Sequence, residues 1–266
     1  MRLPPPSRIP LEFRTRRYIG RHVRSVKDAL GDRAMLAAVR DGGTLPAGYG
    51  IKLDERLVEF PWLLSMAPSG TVLDAGSTLN HPHVLDAFLP AIDALHIATL
   101  EPELYSYPQR RVSYAYCDLR ALPYRDDLFD VVVSSSTLEH IGMDNERYGV
   151  AVARAPDPDA EMGRALTEFR RVLRAGGRML LTVPYGLTED HGWMRQFDRA
   201  GIEAIVHLAG AGSARIAVFA YGAEGWTTSD LEGASQARFR DDARDTVADG
   251  APAARAVACL ALSDIA

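Results

Sequence analysis

The chain has 266 residues, 47% of them hydrophobic and 24% charged, with a formal charge of −5. This is the make-up of an ordinary globule and excludes a disordered, collagenous or coiled-coil chain. The negative balance gives no general attraction to nucleic acid or anionic lipid, and no apolar run reaches the roughly 18 residues needed to span a bilayer. The opening MRLPPPSRIP has no apolar signal core, so a cytoplasmic protein with neither nucleic-acid nor membrane partners is expected. Cys117 and Cys259 are the only cysteines, too few and too far apart for a disulfide framework or a zinc site. Lys27 and Lys52 are the only lysines, which rules out most Schiff-base or P-loop chemistry.

From Met1 to about Lys27 the chain is a basic arm carrying Arg2, Arg8, Arg14, Arg16, Arg17, Arg21 and Arg24. It reads either as a surface helix packed over the core or as a lid over an acidic or phosphorylated substrate. Asp28 to Val39 is expected to be helical, Asp41 to Gly50 to be a turn-rich connection, and Leu53 to Leu64 to supply an apolar-faced helix. Short apolar runs then alternate with helical stretches: Thr71 to Leu73, Leu95 to Leu100, Val112 to Tyr116, Phe129 to Ser134 and Arg178 to Val183. Such alternation predicts a parallel sheet flanked by helices. A helix over Glu161 to Arg174 is expected to stop at Gly176 and Gly177. Ala214 to Tyr221 and Ala254 to Leu262 look like an antiparallel pair closing the sheet. The expected division is an N-terminal helical extension over 1–66 and a main domain over 67–266.

The string Val72-Leu73-Asp74-Ala75-Gly76-Ser77-Thr78-Leu79-Asn80 follows the first strand of the main domain, where open α/β sheets place their ligand crevice. Gly76 lets the backbone approach a ligand, and Asp74 can order the turn. A dinucleotide site normally keeps further glycines for its pyrophosphate, but Thr78 and Asn80 stand there instead. A cofactor without phosphates tolerates that loss better. Further along come Cys117-Asp118-Leu119-Arg120-Ala121-Leu122-Pro123, then Phe129-Asp130-Val131-Val132-Val133 with Leu138-Glu139-His140-Ile141. Arg171-Val172-Leu173-Arg174-Ala175-Gly176-Gly177-Arg178 leads into Leu180-Leu181-Thr182-Val183-Pro184. In this order the strings resemble the class I S-adenosylmethionine-dependent methyltransferases, especially the small-molecule branch with LDxG, DLxxLP, FDVVxxxxxLEH and RVLRxGGxLLLTVP. The resemblance runs from about Leu73 to Pro184.

It implies a Rossmann-like doubly wound α/β fold, a mostly parallel seven-stranded sheet with an antiparallel C-terminal strand. It also implies S-adenosylmethionine as cofactor, held by Asp74, Gly76, Ser77, Asp118, Leu119 and Ser135. Asp118 matches the carboxylate that accepts from the adenine amine, with helix or turn capping as its alternative. Where the family has a ribose-binding acid this chain has Thr99, so Glu101 is the expected substitute, unless it is a solvated loop acid. Asp130 is expected to be structural. The segment Met143 to Ala160 is too irregular for core and could form a substrate loop; Glu139, Asp144, Asp190 and Trp193 are the expected substrate contacts. His140 is either a hydrogen bonder at a helix start or a substrate and catalytic contact. An oxygen nucleophile gains from losing its proton, and a neutral histidine suits that task. His191, at the carboxyl edge after the last parallel strand, is the expected base, against the alternative that it is a structural hydrogen bonder. His81 and His83 show no further ligands converging for a metal. O-methylation of a sugar or secondary metabolite is the leading function. A non-catalytic partner of the same fold and an NAD-dependent oxidoreductase are the competing ones, the latter disfavoured by the missing glycines. The sequence gives no oligomeric state.

Overall fold

The computed structural model describes residues 11–146, 152–240 and 252–266. Three helices precede the sheet: α1 (Leu11–Gly31), α2 (Arg33–Asp41) and α3 (Arg56–Ser65). The expected helix over Asp28 to Val39 is split, because the Asp32 carboxylate accepts from the amides of Ala34 and Met35 and restarts the chain as α2. Arg2 and Arg8 of the basic arm lie outside the described residues. The described part of the arm docks on the loop before α3. His22 Nε2 lies 2.7 Å from Asp54 Oδ1, Tyr18 Oη donates to Asp54 Oδ2 at 3.0 Å, and Arg21 donates to the Lys52 carbonyl at 2.8 Å. Pro61 interrupts α3 without ending it. A proline has no N–H for the carbonyl four residues back, and the Tyr49 hydroxyl donates to that orphaned Leu57 oxygen at 2.5 Å.

The strands are β1 (Thr71–Ala75), β2 (Ala94–Thr99), β3 (Val112–Tyr116), β4 (Phe129–Ser135), β5 (Leu173–Pro184), the hairpin pair β6 (Glu189–Asp190) and β7 (Arg195–Gln196), then β8 (Ala211–Gly222), β9 (Gly225–Ser229) and β10 (Ala256–Ile265). The main sheet has the order β3-β2-β1-β4-β5-β10-β8-β9. β1 to β5 are parallel, and β10 runs antiparallel to both β5 and β8. The sheet therefore has eight strands where seven were expected. The extra one is β9, which folds back from β8 so that Tyr221 pairs with Trp226. It was missed because its five residues follow β8 after a two-residue turn.

Helices α1 to α3 and α4 (Pro82–Phe88) cover one face, where Val26, Val39, Leu57 and Trp62 share a continuous apolar layer with Leu95, Val131 and Phe219. Helices α5 (Pro158–Val172) and α6 (Arg199–Leu208) cover the other, with Met162, Leu166, Phe169, Ile202 and Ile205 against Leu73, Val132 and Leu181. Gly176 and Gly177 do not cap α5. The helix ends at Val172, Leu173 is already extended and paired with Phe129, and the glycines lie in an excursion of β5 before Arg178 pairs with Val131. A side chain at Gly177 would meet the Arg174 carbonyl 2.9 Å away. Asp130 is structural as expected. Its Oδ2 accepts from the Thr71 amide at 2.7 Å and it pairs with Arg174.

The chain fills one side of the sheet with β1 to β3, then crosses back to lay down β4 and β5. The order reverses between β1 and β4, and the crevice at such a point is where open α/β sheets bind ligands. Trp226 ties the far edge of the sheet to the N-terminal segment: it is fully buried, and its Nε1 donates to the Leu53 carbonyl at 3.1 Å. Trp226→Ala is expected to lower unfolding stability by about 3–5 kcal/mol in a denaturant titration, whereas a change below about 1 kcal/mol would show that the two ends are not coupled.

Candidate active site

A cleft of about 680 Å³ opens at the carboxyl edge of β1 to β4. Its near wall is Gly76 and Thr78 after β1, Thr99 to Glu103 at the end of β2, and Asp118 to Arg120 after β3. Its far wall is Ser136, Thr137, Glu139 and His140 after β4, Trp193 and Met194 of the β6–β7 hairpin, and Phe239; Glu55 at the start of α3 and Arg56 within it close it from the side of the helical extension.

Of the residues expected from sequence, Gly76, Glu101, Asp118, Leu119, Glu139, His140 and Trp193 come together in this cleft. Gly76 has φ +120°, and a Cβ there would fall 2.1 Å from Thr137 Oγ1. The glycine thus gives Thr137 room, and a side chain there would clash within the protein. Glu101 is exposed at the mouth. Asp118 is not an open acceptor, because the Arg120 backbone amide and Nε both donate to its Oδ1 at 2.9 Å and Nη2 donates to its Oδ2 at 2.5 Å. Those Arg120 hydrogen bonds hold the Asp118 carboxyl below its ordinary range. Arg120 also reaches Glu161.

Other expected residues have different work. Asp74 is fully buried and its Oδ2 accepts from the Leu79 amide at 2.8 Å, which orders the turn. Burial pushes this carboxyl up to about 7. Ser77 is buried in the left-handed region at φ +63° and does not line the cleft. Ser135 lies beneath the floor, bonded to Thr182 at 2.9 Å and to Arg56 at 3.2 Å; its neighbour Ser136 faces the cleft instead. Asp144 Oδ1 accepts from the Glu146 amide, and Asp190 is held bidentately by Arg154 at 2.7 and 2.6 Å; both lie off the cleft. His191 sits behind the far wall, its ring 5.1 Å from Phe239 and its Nε2 3.6 Å from Glu189. Of the loop expected over Met143 to Ala160, residues 147–151 lie outside the described residues, and Asn145 and Val152 line the cleft.

His140 has the geometry a base requires. Its Nδ1 lies 3.0 Å from the Trp193 carbonyl, which can only accept, so Nδ1 carries the proton and Nε2 the lone pair in the neutral ring. The ring stacks on Trp193 with centroids 5.4 Å apart. Beside it, Glu139 is 3% exposed and its Oε1 lies 3.9 Å from His140 Nε2.

Beneath the floor, Glu59 of α3 is fully buried, and its Oε1 accepts from Ser136 Oγ at 2.7 Å and from Thr182 Oγ1 at 2.6 Å while Arg56 pairs with its Oε2. Burial works against the Arg56 charge, but Glu59, Glu55 and Asp54 outweigh it and hold the guanidinium charged. Burial pushes the Glu55 carboxyl up to about 8 and the Glu139 carboxyl well above its ordinary range. Glu55, Arg56, Glu59 and Glu103 were missed. The α3 residues sit on an apolar-patterned helix ahead of every motif, and Glu103 repeats the acid of Glu101 two residues on.

The family model described as a methyltransferase domain matches residues 96–181, the stretch from β2 to β5 that supplies most of the cleft. That stretch of the chain is similar to a methyltransferase domain. Solved structures that resemble it include the YcgJ protein from Bacillus subtilis, 19% identical, covering 77% of this chain and 97% of that one with a TM-score of 0.46. Another is the 1,6-didemethyltoxoflavin-N1-methyltransferase of Burkholderia thailandensis, 14% identical, covering 98% and 93% with a TM-score of 0.48. A methyltransferase domain implies S-adenosylmethionine as cofactor. The cleft's donor set suits it. Glu101 offers an open carboxylate for hydroxyls, Glu103 accepts from Asn80 Nδ2 at 2.5 Å through Oε2, Leu100, Pro102 and Leu119 offer apolar surface, and Gly76 puts no side chain of its own at the close approach.

One prediction concerns the enzyme's stability. The folded Asp74 carboxyl titrates near 7 against about 4 when unfolded. The folded form holds its proton more tightly, so the stabilisation is complete below pH 4 and is lost as pH rises to 7. Asp74→Asn keeps an oxygen for the Leu79 amide and removes the titration. The fall in wild-type melting temperature between pH 5 and 8 should be shallower in the variant, and identical slopes would contradict the assignment.

Proposed function

We propose that the methyltransferase transfers its methyl group to a hydroxyl of a small molecule, a sugar or secondary metabolite, with His140 as proton acceptor. S-adenosylmethionine supplies an electrophilic methyl on a sulfonium, which needs no acid, so positioning accounts for much of the rate. The protein's part is to align the acceptor and take its proton. The observation that carries the reading is the Trp193 carbonyl on His140 Nδ1, which fixes the tautomer with a basic Nε2 at the cleft. Glu101 and Leu119 are the proposed cofactor contacts, with Asp118 acting through Arg120, and Glu139 and Trp193 face the acceptor. His191 supports the wall through Phe239. Within the expected extension over 1–66, the described residues 11–66 serve as the cap of the domain that follows, since Glu55 and Arg56 belong to the cleft. No helix among the described residues is long and apolar enough to cross a membrane, and both cysteines are free thiols, which supports a cytoplasmic setting.

Calorimetry should find S-adenosylhomocysteine binding and no NAD binding. At 100 times its Kd the homocysteine product should add about 2.7 kcal/mol to stability; no binding at millimolar ligand would refute the reading. His140→Ala should lower turnover roughly 10²-fold with S-adenosylhomocysteine affinity retained, and His191→Ala should cost much less. The reverse order would return the role of base to His191.

A further inference from the structure

The charges of the cleft restrict what the acceptor carries. The two arginines among its described residues are committed, Arg120 to Asp118 and Glu161, and Arg56 to the buried Glu59. Glu101 and Glu103 stand at the mouth after β2, on the side given above to the cofactor. That leaves Glu55 and Glu139 at the acceptor end. Glu139 is 3% exposed, lines the cleft, and has no hydrogen-bond partner for Oε2 among the described residues. Glu55 makes no ion pair among them. A buried carboxyl oxygen with no donor is costly unless a ligand supplies one. Next to it Trp193 stacks on His140, and Phe239 meets Trp193 edge-on with centroids 6.0 Å apart. Aromatic faces beside carboxylates are the surroundings that hold an organic cation.

We infer that the acceptor bears, besides the hydroxyl that is methylated, an ammonium group, received by Glu139 and Glu55 against the aromatic wall of Trp193 and Phe239. This rests on the methyltransferase reading above. An acceptor carrying carboxylate or phosphate would meet these acids with no uncommitted arginine among the described cleft residues to offset them. The groups that face Glu139 are Glu55, Arg56 and Glu59 of α3 and His140 on its own turn. Burial pushes the Glu139 carboxyl well above its ordinary range in the empty cleft, and an arriving ammonium favours its ionised form, so binding drives proton release to the buffer.

The test uses three probes that share a phenol and differ in one end group: tyramine (ammonium), tyrosol (hydroxyl) and 4-hydroxyphenylacetate (carboxylate). Each is titrated calorimetrically into the full chain saturated with S-adenosylhomocysteine. Tyramine should bind at least tenfold more tightly than tyrosol, the carboxylate should bind weakest, and tyramine's heat should vary with buffer ionisation enthalpy as proton release requires. Glu139→Gln should remove the tyramine advantage and the proton release while leaving S-adenosylhomocysteine affinity unchanged; if that variant does not fold, Glu55→Gln carries the same comparison. Tyrosol or the carboxylate binding as tightly as tyramine would overturn the inference, as would the failure of all three to bind. Loss of S-adenosylhomocysteine affinity in Glu139→Gln would assign the carboxyl to the cofactor and overturn it too. Failure of the wild-type chain to bind S-adenosylhomocysteine would instead bring down the methyltransferase reading, and this inference with it.

Discussion

A single buried carboxylate, Glu59, holds the cleft together. It is fully enclosed in α3, and an unpaired charge there would be costly. Its three partners come from three elements: Arg56 from its own helix, Ser136 from the end of β4 and Thr182 from β5. Satisfying the charge therefore fixes the helical extension against the carboxyl ends of β4 and β5. It also places Ser136, at φ +45°, on the cleft floor, a backbone conformation that a non-glycine residue keeps only when its surroundings impose it. The cap and the floor are one construction, and the side of the cleft formed by Glu55 and Arg56 follows from it.

Around that anchor the charges divide by role. Arginine neutralises the acids that build walls, as Arg120 does for Asp118 and Arg174 for Asp130. Glu55 and Glu139, which face the cleft, have no arginine ion pair among the described residues, and burial pushes the Glu55 carboxyl up to about 8 and the Glu139 carboxyl well above its ordinary range. A site of this kind meets polar hydrogens and cations readily and anions poorly. Of the two readings the sequence offered for the basic arm, a packed surface helix or a lid over an acidic substrate, the contacts of Arg21 and His22 with the loop before α3 favour the first.

The parallel sheet was legible because buried strands read as unbroken apolar runs, and the turn after β1 was legible because Gly76 marks a close approach. Tertiary pairing was not. Glu59 and Arg56 look like the polar residues of an amphipathic helix, and nothing local says that strand ends will bury them. Ser135 and Ser136 differ only in which side of the strand end they face, so a string of four small residues could not say which one meets a ligand. His140 and His191 both follow strands at the correct edge. The turn between β6 and β7 carries His191 behind the wall while its neighbour Trp193 comes forward to fix the tautomer of His140. Gly176 and Gly177 have the spacing of a helix cap, yet β5 begins before them because Leu173 pairs with Phe129.

The central claim is that the crevice at the switch point between β1 and β4 is the cofactor site. A crystal structure of the protein with S-adenosylhomocysteine tests it most directly. The account predicts density in the cleft, with the ribose hydroxyls on the Glu101 side and the base beside Leu119 and Arg120. Ligand density in the second cavity, between Tyr185, Asp198 and Arg238, with the main cleft bare, would contradict it.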